Sequence, residues 1–321
     1  MTTRHTVATI AACILAWVGL TAQEQQQPTF RGGAEVVRVF VTVMDKDSRL
    51  VTKLQQDQFE IRDEGKPQPI TLFDNTPQPI RLIEMLDVSG SMQGNLPLLR
   101  NASDELFRRL RPDDQLRVGS FGHEVVISPK FTNNPQEIVS SLPKSIAPDA
   151  PTPLWRALDQ ATGLFKEAKE ERSDERSVIL VLSDGKDSGP FGFKEKYVSQ
   201  AEVIDRARDE DVMIYAVGMR SRGARPTMPG LGPGGLQAAL MADIPDPGLA
   251  KVAQETGGGF IEIKFGEDLG QAFTQVADEL HGQYLIGFAP PKRDGKVHKI
   301  EVKVKENGFT ARARKSYVAP K

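Results

Sequence analysis

The stretch from Leu86 to Met92 (LDVSGSM) carries the side chains in this chain that are best suited to chemistry. It follows the apolar run Leu82 to Leu86, which predicts a strand, so Asp87, Ser89 and Ser91 fall on the turn after that strand. Carboxylate and hydroxyl oxygens suit hard cations and are poor ligands for soft metals. Open α/β sheets bind their ligands at the carboxyl ends of strands. The stretch therefore predicts a hard-cation site, with Gly90 allowing its loop to turn tightly.

Two later segments predict oxygen ligands at the same edge. In Pro151 to Leu158 (PTPLWRAL), Thr152 opens a predicted helix, and in Leu182 to Gly185 (LSDG), Asp184 ends a predicted strand. The predicted ligand set has five oxygen-bearing side chains: Asp87, Ser89, Ser91, Thr152 and Asp184. Only two of them carry a formal negative charge and three are neutral hydroxyls, so a divalent ion that both carboxylates do not contact directly is left under-neutralised and favours an outside carboxylate beside it.

From about residue 80, apolar runs of strand length alternate with helical patterns. This order predicts a doubly wound, mostly parallel sheet with helices on both faces. The predicted strands are Leu82 to Leu86, Leu116 to Phe121, Val178 to Leu182, Val212 to Val217 and Phe260 to Ile263, with Val125 to Phe131 as an antiparallel edge strand. The predicted helices are Leu98 to Leu110, Leu154 to Lys169, Ala201 to Glu210, Leu249 to Glu255 and Asp268 to His281.

Both ends of the chain are predicted to be β-rich. Residues 34–78 contain three predicted strands, Val37 to Val43, Phe59 to Arg62 and Pro69 to Phe73. Residues 284–321 contain three more, Tyr284 to Phe288, Ile300 to Val304 and Thr310 to Val318. Since each end alone has few strands for a stable core, we expect them to pair into one small β-sandwich-like domain beside the α/β domain at 79–283.

The first 33 residues predict export. Val7 to Leu20 is apolar and is followed by small and polar residues, which indicates a signal peptide over 1–22 and a linker over 23–33. We therefore expect a secreted or periplasmic protein with no transmembrane span after the leader is removed. Ile10 to Cys13 resembles a lipobox, which leaves lipid attachment at Cys13 as the alternative. Residues 220–245 are rich in Gly, Pro and Arg and predict a mobile loop.

The three separated ligand segments together resemble the metal-ion-dependent adhesion site of the von Willebrand factor type A family. The resemblance implies that Asp87, Ser89, Ser91, Thr152 and Asp184 hold Mg²⁺, or alternatively Mn²⁺ or Ca²⁺, directly or through water. It also implies a protein partner that presents Asp or Glu to the ion, in adhesion or envelope complex assembly. The flanking β segments, with Asp57 to Lys66, are similar to those of bacterial members. Pro151 departs from the small residue or Gly expected before Thr152, and Glu84 departs from the apolar composition usual in a buried parallel strand.

Other classes of function fit less well. The 41 Lys and Arg nearly balance the 43 Asp and Glu, so no basic surface for nucleic acid is predicted. A Mg²⁺-dependent phosphotransferase with Asp87 as nucleophile commonly has a second carboxylate two residues later, where Ser89 stands. We therefore predict a binding module and no enzyme, with an envelope scaffold carrying a degenerate metal site as the alternative. Asp187 is expected in a solvated loop, and the charged run Lys166 to Arg176 at an exposed helix end.

Overall fold

The computed structural model describes residues 36–169, 175–189, 196–220, 245–264 and 267–321. The predicted leader and linker lie outside these ranges, as do residues 221–244 of the predicted mobile loop. Within the described ranges, no helix is long and apolar enough to cross a membrane.

A six-stranded sheet forms the centre of the described α/β region. Its order is β10-β9-β8-β5-β6-β7, and all its neighbouring strands are parallel except the β6–β7 pair. The strands are β5 (Ile80–Asp87), β6 (Gln115–Phe121), β7 (Val125–Ile127), β8 (Arg176–Ser183), β9 (Val212–Met219) and β10 (Phe260–Ile263). The predicted antiparallel edge strand is present but ends before Pro129, which has no N–H to donate.

Helices cover both faces of this sheet, which confirms the predicted doubly wound architecture. Successive residues of β5 point to opposite faces, so Leu82 and Leu86 enter one apolar core while Ile83 and Met85 enter the other. The helices are α1 (Leu96–Arg109), α2 (Pro135–Ser141), α3 (Leu154–Lys169), α4 (Gln200–Asp209), α5 (Pro247–Thr256) and α6 (Leu269–His281). Helices α1, α2 and α6 pack on the Leu82 face, and α3, α4 and α5 pack on the other.

Helix α2 was not predicted from the sequence. It is short, and Asn134 caps it by accepting a hydrogen bond from the Gln136 N–H at 2.9 Å, with Pro135 at its first position. Asn followed by Pro is a signal for the start of a helix. This helix has seven residues, which is too short to show the apolar periodicity that would support the signal.

The two ends of the chain form two further antiparallel sheets, as predicted. Their orders are β13-β1-β11-β4 and β14-β12-β2-β3, so each sheet contains strands from both ends. The strands are β1 (Val37–Asp45), β2 (Phe59–Asp63), β3 (Lys66–Gln68), β4 (Leu72–Asp74), β11 (Tyr284–Phe288), β12 (Val297–Val304), β13 (Phe309–Arg312) and β14 (Ser316–Val318). Val39, Ile61, Ile286 and Phe288 share one buried core between them.

Two predicted boundaries in these sheets were wrong. The sequence predicts no strand between Arg62 and Pro69, but Glu64 and Gly65 have positive φ of 49° and 76° and form a tight turn that pairs β3 directly with β2. The predicted run 310–318 is two strands, because the chain crosses between the sheets where the Lys315 N–H donates to the Glu255 carbonyl at 3.0 Å.

Arg176 corrects the prediction that the charged run ends in solvent. It begins β8, is 3% exposed, and stacks over the Phe40 ring at 4.9 Å. Its guanidinium donates to the Gln283 side chain and to the Leu280 carbonyl. Gln283 in turn donates to the Thr42 hydroxyl at 2.8 Å, so a buried polar network joins the α/β region to strand β1.

Candidate cation site

The pairing of β5 with β8 brings two carboxylates to one edge of the sheet. The strands are parallel with Leu86 opposite Leu182, so Asp87 and Asp184 follow at neighbouring carboxyl ends. Asp87 is 0% exposed and Asp184 is 1% exposed. Both carboxyl groups therefore lie below the surface, where a free charge is costly.

A chain of hydrogen bonds connects four of the five predicted ligands. Asp87 Oδ1 accepts the Ser89 backbone N–H at 2.8 Å. The Ser89 and Ser91 hydroxyl oxygens lie 3.1 Å apart, and the Ser91 hydroxyl donates to Asp184 Oδ1 at 2.7 Å. These four side chains are thus gathered into one cluster of oxygen atoms.

The fifth predicted ligand, Thr152, lies next to this cluster on the loop before α3. A side-chain carbon built on Gly185 would stand 3.1 Å from the Thr152 hydroxyl oxygen, which places the hydroxyl beside the residue after Asp184. The backbone of Thr152 is held by Ser188, whose Oγ accepts the Thr152 N–H at 3.1 Å. Pro151 is accommodated in this loop, so all five predicted ligands lie at the same edge.

Gly90 is required for close approach of two loops. Its φ is not positive, so the expected reason, a tight turn that only glycine adopts, was wrong. A side-chain carbon at this position would lie 2.1 Å from the Pro148 carbonyl oxygen, and the Gly90 N–H donates to the Ala150 carbonyl at 2.9 Å. The absence of a side chain lets the serine loop dock on the loop that carries Thr152.

The electrostatics of the two carboxyls suit a bound cation. Burial raises the pKa of Asp87 to about 7, and the neighbouring Asp184 charge adds to the increase. Burial also raises the pKa of Asp184, whose Oδ2 is buried without a hydrogen-bond partner. A hard divalent cation would offset both effects, so the residues present fit such an ion.

Hydroxyl ligands are necessary for such a site. Within the described part of the chain, no group of three or more His, Cys, Asp or Glu side chains is arranged to hold a metal ion. Ser89 precedes a short 3₁₀ turn at Gly90–Met92, yet its side chain makes no capping hydrogen bond there. Its hydroxyl therefore does not serve as a helix cap.

Ser183 and Asp187 are part of the site's surroundings; Ser183 was not predicted there, and a solvated loop was preferred for Asp187 over a place at the rim of the site. The Ser183 hydroxyl donates to Asp87 Oδ2 at 2.5 Å. The feature of the sequence that could have indicated this contact is the position of Ser183 at the end of β8, directly before Asp184. Asp187 is half-buried and accepts the Trp155 N–H at 3.2 Å and the Gly189 N–H at 2.9 Å. The solvated-loop prediction for Asp187 was wrong, because the unpaired N–H groups in the first turn of α3 attract a carboxylate.

Comparison with known proteins gives one family match. Residues 82–238 match the family model of the von Willebrand factor type A domain, a range that contains all five predicted ligands. A comparison with curated proteins found no match.

Solved structures resemble this chain at low sequence identity. A von Willebrand factor type A protein from Catenulispora acidiphila is 12% identical with a TM-score of 0.47, and the match covers 91% of this chain and 76% of that one. Proximal thread matrix protein 1 from the mussel byssus, with a zinc-occupied MIDAS motif, is 16% identical with a TM-score of 0.44, covering 69% and 50%. An aerotolerance-related membrane protein from Bacteroides fragilis is 13% identical with a TM-score of 0.41, covering 63% and 98%.

Proposed function

Because residues 82–238 of this chain match the family model of the von Willebrand factor type A domain, we propose that the protein captures an acidic residue of a partner protein through a bound divalent cation. The proposed ligands of the ion are Asp87, Ser89, Ser91, Thr152 and Asp184. The observation that carries this proposal is the hydrogen-bonded chain of oxygens that ends at Asp184, with one carboxylate oxygen buried and unpartnered.

The charge of the site favours an acidic partner. The two aspartates together neutralise a divalent ion only if both are ionised and both contact it, and the remaining proposed ligands are neutral hydroxyls. Where one aspartate acts through water, the ion keeps a net positive charge, and a carboxylate from outside then adds favourable charge at the position that water fills otherwise. Mg²⁺ is the proposed ion because it keeps exchangeable waters, with Mn²⁺ and Ca²⁺ as alternatives.

The proposed role is binding without catalysis. Ser89 stands where a phosphotransferase commonly has its second carboxylate, and it is committed to the oxygen cluster with Ser91. We place the protein outside the cytoplasm, secreted or periplasmic, on the basis of the apolar run Val7 to Leu20. Adhesion or assembly of an envelope complex is the corresponding biological role.

Calorimetric titration of Mg²⁺, Mn²⁺ and Ca²⁺ into chelator-treated protein tests the site. We expect one ion per chain and a loss of affinity of at least about 100-fold in Asp87→Ala, because a charged ligand is removed. Asp149→Ala is the matched control, since Asp149 is an exposed carboxylate at the same edge. Equal affinity of wild type and Asp87→Ala for every ion would reject the proposed site.

Partner capture from the cell envelope tests the second half of the proposal. Capture should fail in EDTA and return on addition of Mg²⁺ or Mn²⁺, and Asp87→Ala should capture nothing that depends on the ion. If wild type and Asp87→Ala retain the same partners in EDTA, the protein is an envelope scaffold with a degenerate site.

Mass spectrometry of the envelope and medium fractions tests export. The expected mature N-terminus lies beyond residue 20, after removal of the leader. A lipid-modified Cys13 at the N-terminus would identify the lipid-anchored form. Intact Met1 in cytoplasmic material would contradict export.

A further inference from the structure

Glu84 is a charged residue type in the middle of the central strand β5. It is 0% exposed, and its neighbours in register are Val118 on β6 and Leu180 on β8. One carboxyl oxygen accepts the Ser103 hydroxyl of α1 at 2.7 Å. The other, Oε2, is buried without a hydrogen-bond partner.

The surroundings of Glu84 allow its neutral form and oppose its charged form. It lies on the face of β5 that carries Leu82 and Leu86 into the core beneath α1 and α6. The Ser103 hydroxyl is the polar group that α1 presents to Glu84, and apolar side chains of β6, β8 and α6 belong to the same core. Tyr215 of β9 also belongs to this core, and its hydroxyl accepts from the Arg312 guanidinium. Glu279 of α6 is buried and accepts from the same guanidinium. Burial raises the pKa of Glu84 to about 7, and the Ser103 hydrogen bond only partly opposes this. No charged neighbour contributes to this increase in the pKa of Glu84.

Helix α1 connects Glu84 to the serine loop. The loop that carries Ser89 and Ser91 leads directly into α1, and Met92 is buried in the same core as Leu99 of that helix. The Asn95 N–H donates to the Met92 carbonyl at 2.9 Å, and the Leu99 N–H donates to the Asn95 carbonyl at 2.9 Å. A shift of α1 away from the sheet would therefore move the end of the serine loop.

We propose that Glu84 is a positioning residue that works as a proton-dependent latch. In its neutral form it lets α1 pack on the sheet and holds the serine loop in the geometry that binds the cation. Ionisation draws water towards the carboxylate, loosens α1 and lowers cation affinity. The effect on affinity rests on the proposed function, whereas the loosening of α1 does not.

Titration of Glu84 and titration of the ligands change the cation affinity in opposite directions as the pH rises. Deprotonation of Asp87 and Asp184 favours cation binding as the pH rises. Ionisation of Glu84 opposes binding as the pH rises through about 7. Wild-type affinity should therefore rise and then fall with pH, while Glu84→Gln, which stays neutral and retains an acceptor for Ser103, should lose only the alkaline fall.

Hydrogen–deuterium exchange of the full chain, without added metal, tests the latch directly. At about pH 9, peptides covering α1 should exchange severalfold faster in wild type than in Glu84→Gln, whereas at about pH 6 the two should match. Comparison of the two proteins at one pH removes the intrinsic pH dependence of exchange. Peptides covering α4, on the other face of the sheet, are the internal control and should not differ.

Equal α1 exchange in the two proteins at the alkaline pH would overturn the latch, whether or not the protein binds a cation. A severalfold difference in α1 exchange would support it. In the metal titration, an alkaline fall of Mg²⁺ affinity in wild type that is absent in Glu84→Gln would support the link to the site. The same fall in both proteins would overturn that link. A complete absence of metal binding would reject the proposed function and leave the exchange result to decide on the latch.

Discussion

The orientation of Asp87 depends on two neighbours that each hold one of its oxygens. Oδ1 accepts the Ser89 N–H, and Oδ2 accepts the Ser183 hydroxyl. Because Ser183 lies on the neighbouring strand, it fixes the carboxylate relative to the strand that also supplies Asp184. Residues that orient a metal ligand in this way typically contribute strongly to metal affinity without contacting the ion.

Ser183→Ala should therefore weaken Mg²⁺ or Mn²⁺ binding by about 10- to 100-fold, because the Asp87 carboxylate loses a partner that fixes its direction. Calorimetric titration measures the change. Ser177→Ala is a matched control on the same strand, since Ser177 lies roughly 20 Å away at the other end of β8. Unchanged affinity in Ser183→Ala would show that Asp87 is oriented without it.

Asp114 connects the start of strand β5 to the end of helix α6. Its carboxylate accepts the Ile80 N–H at 3.1 Å at the start of β5, and the Arg111 N–H at 2.7 Å. It also contacts Nε2 of His281, the last residue of α6, at 2.8 Å. Burial by itself raises the pKa of Asp114, but the hydrogen bonds from His281, Arg111 and Ile80 outweigh it and lower the pKa overall.

Asp114→Asn should lower the free energy of unfolding by about 2 kcal/mol near neutral pH, because a charged acceptor of several hydrogen bonds is replaced by an amide. The folded pKa of Asp114 is lowered, so its stabilisation is present above the unfolded value of about 3.9 and is lost as the pH falls through the folded value. Urea denaturation should show the two proteins converging in acid. Asp113→Asn, at an exposed neighbour, should have little effect, and a constant difference at all pH values would contradict this account.

The flanking sheets make the two ends of the chain interdependent. Strand β1 pairs with β11 on one side and with β13 on the other, and β2 pairs with β12. The Arg314 guanidinium also donates to the Arg38 carbonyl at 2.6 Å. We therefore propose that residues 34–78 and 284–321 form one folding unit.

Deletion of residues 284–321 should expose the N-terminal β segment to protease, because β1 then loses both neighbouring strands and β2 keeps only β3. Limited trypsin digestion, read by mass spectrometry, should show faster cleavage after Arg38 and Lys53 than in the full chain. Cleavage at these residues at the full-chain rate would show that the N-terminal segment folds without the C-terminal one.

The sequence alone was sufficient for the doubly wound architecture and for placing the five candidate ligands at one edge of the sheet. Apolar periodicity is a local property, and parallel strands bring their carboxyl ends to one edge whatever lies between them, so the strand pattern by itself predicts that Asp87 and Asp184 lie together. The tertiary structure alone decided which groups those residues meet. Strand register and helix packing set three of these contacts: the Ser183 hydroxyl with Asp87, Asp187 with the start of α3, and the Ser103 hydroxyl with Glu84. The sequence predicts that Arg176 is part of a solvated charged run, yet packing buries it beside Gln283. Partners that are distant in sequence become neighbours only when the layers assemble.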